Sequence, residues 1–207
     1  MSPSSAHEPR PRRALVIGTS CAGKTTFART AAPVLGVPHY DLDDLHWGPN
    51  WTTNPDYQRE LEAVVAGDAW ILSGNYGSAR QVTWPRADTV FWLDYPFWLV
   101  FGRSLVRTLR RVITRERLFA GNVETFRAAF LSRDGIPCWV VRTYRRRRRQ
   151  YRELQSSNLY PHVRWVVFRH PREERGWLAR AATSAQRSAS RSQKAESRSQ
   201  NSGEIRY

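Results

Sequence analysis

Gly18-Thr19-Ser20-Cys21-Ala22-Gly23-Lys24-Thr25 fills every fixed position of the pattern G-x-x-x-x-G-K-[ST]. Just before it, Ala14-Leu15-Val16-Ile17 reads as a short buried strand; just after it, Lys24 to Leu35 reads as a helix stopped by Gly36 and Pro38. The two glycines let the backbone turn so that successive N–H groups converge on one concavity, and the helix adds the positive end of its dipole. In such a loop the positions Gly18, Ser20, Cys21, Ala22, Gly23, Lys24, Thr25 and Thr26 hold the phosphates of a nucleotide. Lys24 would reach the β- and γ-phosphates, and the Thr25 hydroxyl would ligate Mg²⁺. Cys21 admits two readings. The helix terminus and Lys24 would favour its thiolate and make it oxidisable, or it is a small side chain where only backbone matters.

The strand–helix alternation continues along the chain. His39 to Asp43 is a second strand, and Pro55 to Ala66 a helix that Asn54 can cap and Gly67 ends. Tyr57, Leu61, Val64 and Val65 fall on one face of that helix. Trp70-Ile71-Leu72, Thr89 to Leu93 and Trp165 to Phe168 read as strands; Phe97 to Arg111, Trp139 to Leu154 and Pro171 to Ala182 read as helices. This order predicts an α/β three-layer sandwich of the P-loop NTPase kind, with a five-stranded parallel sheet and helices on both faces. The run from about 112 to 136 breaks the rhythm and reads as an inserted, Arg-rich lid. Residues 1–13 and 183–207 hold few large apolar side chains and read as disordered tails flanking a domain over 14–182.

Composition narrows the setting. Hydrophobic residues make up 41% of the 207, enough for one sizeable core. The most apolar run, Thr89 to Phe101, is broken by Asp94 and Pro96 and is shorter than the roughly 18–20 residues a membrane span needs. Met1 to Arg13 has no apolar segment of the secretory kind. Cys21 and Cys138 make no disulfide framework, and no Cys/His spacing suggests zinc, so a reducing, cytoplasmic setting is expected. The net charge of +15 is unevenly spread: residues 101–152 hold fifteen arginines against Glu116, Glu124 and Asp134. That segment is built to meet anions, whether nucleotide phosphates, nucleic acid or an acidic surface.

Together, several motifs resemble the adenylate kinase-like family of small P-loop kinases, and within it the group known as topology modulation proteins. The resemblance rests on residues 18–26, on His39-Tyr40-Asp41-Leu42-Asp43 with Trp47 and Trp51, and on Trp70 to Tyr76 with its Gly74-Asn75-Tyr76 element. It extends through Ala87 to Asp94, the arginines of the following helix, Gly121-Asn122-Val123-Glu124, and Pro171-Arg172-Glu173. It implies use of ATP·Mg²⁺ and transfer of a phosphoryl group to a nucleotide or other small-molecule acceptor. One position departs. Similar sequences carry Asp before the Gly-Asn-Tyr element, where an acid holds water on Mg²⁺; here it is Ser73. Either Asp41 or Asp43 takes over that role, or metal affinity and turnover are weak.

The resemblance matches Asp43 to the acid that small P-loop kinases place by the acceptor, where it would orient a hydroxyl or accept its proton. Asp41 and Asp43, two apart at a strand end, would point to one side, toward the nucleotide; Asp41 and Asp44 are alternatives. Asp43 also joins Thr25 as a candidate metal position. Arg103 and Arg107, four apart on one helix face, correspond to arginines that lie over the adenine and reach the phosphates, with Arg110 and Arg111 as alternatives. Lys24, Asp43 and Arg107 form the expected catalytic set. Arg145 to Arg149 cover the whole circumference of a helix, so only two or three can face one ligand. With Arg142 they read as the base of a lid, as a nucleic-acid patch in which Tyr144 and Tyr151 stack bases, or as a solvated face. Trp47, Trp51 and Trp84 line an acceptor pocket or belong to the core, and Asn75 and Tyr76 face the same crevice.

Two functions compete on this reading. One is an ATP-dependent kinase acting on a nucleotide or small molecule. The other is a nucleotide-dependent nucleic-acid-binding protein with little or no transfer, using the 101–152 segment. No motif encodes the acceptor or the oligomeric state.

Overall fold

A computed structural model describes residues 10–74, 76–114 and 135–203 of the chain. Alternation along β1 (Arg13–Gly18) divides its core. Ala14 and Val16 pack in one layer, and Leu15 and Ile17 in the other. Five strands, β1, β2 (His39–Asp41), β3 (Trp70–Ser73), β4 (Thr89–Leu93) and β5 (Arg164–Phe168), pair in the order β2-β3-β1-β4-β5, every pair parallel. β1 is therefore central, and its carboxyl end opens where the order of connections reverses, the usual ligand crevice of such sheets.

The first layer holds α1 (Lys24–Leu35) and α7 (Pro171–Gly203), with the start of α5 (Phe97–Thr114) and of α6 (Ile136–Ser156). Phe27 of α1 sits with ring centroids 5.1 Å from Phe91 and 5.4 Å from Phe168, and Trp177 of α7 closes over the group. Burying a phenylalanine contributes about 2–3 kcal/mol, and here it fixes the start of α1 against the sheet. The second layer holds α3 (Tyr57–Ala66), the short α4 (Arg80–Thr83), Trp84 and the end of α6 through Tyr151. Helices thus cover both faces of a five-stranded parallel sheet, the three-layer architecture expected.

Several boundaries differ from the expectations. β2 stops at Asp41, where its ladder to Ser73 of β3 ends, and an unexpected helix, α2 (Leu42–His46), follows. Asp41 caps it by accepting the Asp43 N–H at 3.0 Å. α3 starts at Tyr57 rather than Pro55, and Asn54 instead accepts from the Asp56 N–H. Arg10 to Arg13 belong to the fold and not to a tail. The Arg12 and Arg13 N–H groups both donate to Asp88 Oδ2, and the Arg12 carbonyl accepts from Trp70. The closing helix continues beyond Ala182 to Gly203. Low apolar content does not bar a helix, since no Pro or Gly interrupts residues 177–202. Of the lid expected over 112–136, residues 115–134 lie outside the described residues, as does most of the N-terminal tail. No helix among the described residues is long and apolar enough to cross a membrane.

Gly18 closes β1 with φ +150°, and a Cβ there would stand 2.8 Å from the Leu93 carbonyl oxygen of β4. Both objections are backbone ones and cannot be relieved by a rotamer change. Gly18→Ala is therefore expected to cost about 2–4 kcal/mol, read as a fall of several degrees in the thermal midpoint. An unchanged midpoint would contradict this packing.

Candidate functional site

Between β1 and α1 the loop alternates hand. Cys21 takes φ +63° and Gly23 φ +101°, and this alternation turns successive N–H groups toward one concave side. The first N–H groups of α1 have no partner within the helix and add to it. Gly23 has open space around a would-be Cβ, with only an Arg103 nitrogen at 3.5 Å, so its left-handed backbone is what calls for glycine. Ala22 is fully buried and Cys21 packs in the core, which favours the small-side-chain reading of Cys21. Ser20 and Thr26 lie at the loop and first turn, Thr26 exposed.

Lys24 extends from the first turn of α1 back over the loop and donates from Nζ to the Thr19 carbonyl at 3.2 Å. Burial lowers its pKa below the usual lysine range; the carboxylates of Asp43 and Asp41 work against that shift, and Arg107 adds to it. Lys24, Asp41, Asp43 and Arg107 therefore share one electrostatic neighbourhood.

Thr25 Oγ1 donates to Asp41 Oδ2 at 2.6 Å. The acid beside Thr25 is thus Asp41, which is buried, whereas Asp43 is committed elsewhere. Tyr76 donates its hydroxyl to Asp43 Oδ1 at 2.7 Å, and burial together with the Asp43 charge pushes the Tyr76 pKa up. The strand alternation expected to align Asp41 and Asp43 does not operate, because Asp43 lies on α2; the capping bond brings them together instead. A hydroxyl and a carboxylate are hard oxygen donors of the kind Mg²⁺ takes, and Mg²⁺ completes its shell with phosphates and water. No group of three or more His, Cys, Asp or Glu is placed to hold a metal ion among the described residues, and none is needed for a metal held mainly by phosphates. Ser73 does not join the Thr25–Asp41 pair. Its Oγ lies 3.0 Å from His39 Nε2, on a ring whose pKa burial lowers.

Arg103 reaches the loop differently from the expectation. Its NH1 donates to the Ala22 carbonyl at 2.8 Å, and its guanidinium lies 5.4 Å from the centre of the Tyr95 ring. The Tyr95 hydroxyl donates to Glu174 of α7, and the Tyr95 carbonyl accepts from Tyr144. Neither sequence spacing nor motif points to Tyr95 or Glu174, which are brought in by the tertiary fold alone. The Arg103 bond ties α5 to the loop and fixes its Ala22 carbonyl. Arg103→Met is expected to weaken ATP binding about tenfold, since a charge-assisted hydrogen bond is worth about 1.5 kcal/mol here; calorimetric titration would read it, and an unchanged affinity would remove this role.

The arginine run divides into separate roles. Arg148 forks onto buried Asp94 at 2.6 and 3.0 Å, Arg149 pairs with Glu153, and Arg145 and Arg146 are exposed. Tyr144 and Tyr151 are buried and cannot stack bases, which removes the aromatic half of a nucleic-acid surface. Trp84 is also core, packed against Tyr160 and Trp165. Trp47 and Trp51 stand at the crevice with ring centroids 5.7 Å apart, while Asn75 lies outside the described residues.

No protein-family model matches the chain, and no curated protein does. Among solved structures it is similar to a sugar kinase from Janibacter sp. HTCC2649, at 20% identity over 83% of this chain and 92% of that one, TM-score 0.45. A gluconokinase from Sinorhizobium meliloti 1021 gives 17% identity over 86% and 97%, TM-score 0.46. Shikimate kinase from Acinetobacter baumannii in complex with shikimate gives 18% over 99% and 100%, TM-score 0.47. Likeness of this degree does not bear on the reaction of the present chain.

Proposed function

We propose that the chain is an ATP-dependent phosphotransferase that moves the γ-phosphoryl group to a hydroxyl of a small-molecule or nucleotide acceptor. The observation that carries this reading is the meeting, at one sheet end, of a left-handed amide loop, a half-buried lysine over it, a Thr25–Asp41 oxygen pair and a separate carboxylate, Asp43. The first three suit a triphosphate, and the fourth suits an acceptor. The acceptor oxygen attacks the γ-phosphorus, the bond to the β,γ-bridging oxygen breaks, ADP departs, and the hydroxyl proton passes to Asp43. Thr25 and Asp41 would hold Mg²⁺, which when bound would supply charge neutralisation on the phosphate oxygens. Lys24 and Arg107 add fixed positive charge around the transferring group. The Asp43–Trp47 spacing also supports kinship with the topology modulation group within the small P-loop kinases.

The test is ATP retention with Mg²⁺, followed by ADP release in the presence of candidate acceptors. Failure to retain ATP at saturating concentration overturns the reading. Binding of DNA or RNA that falls by orders of magnitude between about 50 and 200 mM salt, in protein that does not turn over ATP, would favour the nucleic-acid role instead.

A further inference from the structure

Beside Asp43 the crevice is aromatic and acidic. Asp43 lies in the first turn of α2 and Trp47 caps its end in an extended conformation, the Trp47 N–H donating to the Asp43 carbonyl at 3.2 Å. Tyr76 joins them, bonded to Asp43 Oδ1 and also to the Trp47 side chain. His46 packs 4.3 Å from the Tyr76 ring and 4.8 Å from Trp47, and burial lowers its pKa. Trp51 meets Trp47 at 82° and stays 39% exposed. Its placement is costly. Asn50 and Trp51 both take positive φ, +55° and +59°, which a bulky side chain rarely does. A Trp47–Thr53 bridge and the Gly48–Thr52 hydrogen bond at 2.8 Å hold that tip in place.

The charge at this end is negative. Asp41, Asp43 and Asp44 are close enough that burial and the two neighbouring carboxylates raise the Asp44 pKa. Lys24 is given to the phosphate loop, where Arg107 bears on it, and Arg29 acts on Asp44 and His39. An acceptor that set a hydroxyl on Asp43 and also carried a carboxylate or phosphate would bring like charges together, beside a triphosphate already in the crevice. An uncharged ring with C–H faces suits two indoles set at right angles.

Building on the phosphotransferase reading, we propose that the acceptor is an uncharged ring alcohol, a cyclic polyol or the sugar of a nucleoside, seated against Trp47 and Trp51 with its hydroxyl on Asp43. ADP release above the acceptor-free background would be followed with matched neutral and anionic probes: glucose against gluconate and glucose 6-phosphate, and uridine against uridine monophosphate. In the pair that is turned over, the neutral member is expected to have a kcat/KM about 100-fold the higher, the counterpart of about 2.7 kcal/mol. Trp51→Ala should raise KM for that probe about tenfold, whereas Trp98→Ala, on the exposed face of α5, should leave it alone. Preference for the anionic member overturns the proposal and spares the phosphotransferase reading. So does ATP retention without turnover of any neutral probe. Loss of ATP retention in the parent protein removes both.

Discussion

Lys24→Ala is expected to abolish useful ATP binding while the fold stands. In the unliganded protein the ammonium is held at a loss, because burial lowers its pKa more than the nearby Asp43, Asp41 and Cys21 raise it, while the Thr19 carbonyl accepts one of its hydrogens. Removing it relieves a desolvated charge, so the thermal midpoint of the unliganded variant should match or exceed that of the parent. With nucleotide present the balance reverses. A unit charge about 3 Å from a phosphate oxygen, at an effective dielectric of about 20, is worth about 5 kcal/mol before the existing acid pairing is subtracted. A net loss of about 3 kcal/mol is a rise in Kd of roughly 100-fold or more. The parent should gain thermal stability with ATP·Mg²⁺ in proportion to the logarithm of its concentration, and the variant should not. A second consequence follows from the same shift. ATP affinity of the parent should decline on raising the pH through a range below that of an ordinary lysine, because burial lowers the Lys24 pKa in the empty site and the ammonium is lost sooner. An ATP Kd within threefold of the parent would show that Lys24 does not face the phosphates.

How much of this was legible before the fold is clearest at particular residues. The loop from Gly18 to Thr25 could be read outright, because its requirements are local: a left-handed backbone, a helix start and one lysine. α1 matched its expected bounds of Lys24–Leu35 and β4 its expected Thr89–Leu93 for the same reason. Asp41 was harder. Its link to Thr25 spans sixteen residues in sequence and depends on α2, a helix too short to leave a periodic signal, whose cap is Asp41 itself. The spacing of Arg103 on α5 resembles that of arginines that lie over the adenine and reach the phosphates. Its actual partner, the Ala22 carbonyl, is a backbone atom that no pattern of side chains reveals. Tyr144 and Tyr151 sit in the most basic part of the chain, and there burial against Tyr95 and Trp92 outweighed the local charge. Trp84 is placed in the core by its contact with Trp165 of β5, a neighbour that its own stretch of sequence does not reveal.

Asp43→Asn is expected to separate binding from transfer. The amide keeps an oxygen able to accept the Tyr76 hydroxyl and keeps the backbone N–H that bonds Asp41, so α2 and its cap should persist. What it loses is a group that can take a proton from an acceptor hydroxyl. General-base assistance contributes about 10²–10⁴-fold, so kcat should fall by that factor with saturating acceptor. The affinity for ATP should change far less, since Thr25, Asp41 and the loop amides are untouched. A modest weakening is built in, because Asp43 is the largest influence holding Lys24 in its charged form, and its neutralisation lets burial lower the lysine pKa further. That secondary effect has its own signature: it should grow as pH rises, whereas the loss in kcat should persist at every pH. Rescue by Asp43→Glu is expected to be partial, because one added methylene displaces the carboxylate from the Tyr76 hydroxyl by more than a hydrogen bond tolerates. Full activity in Asp43→Asn would assign the proton to water or to the phosphate itself, and Asp43 would then be only the anchor of Tyr76.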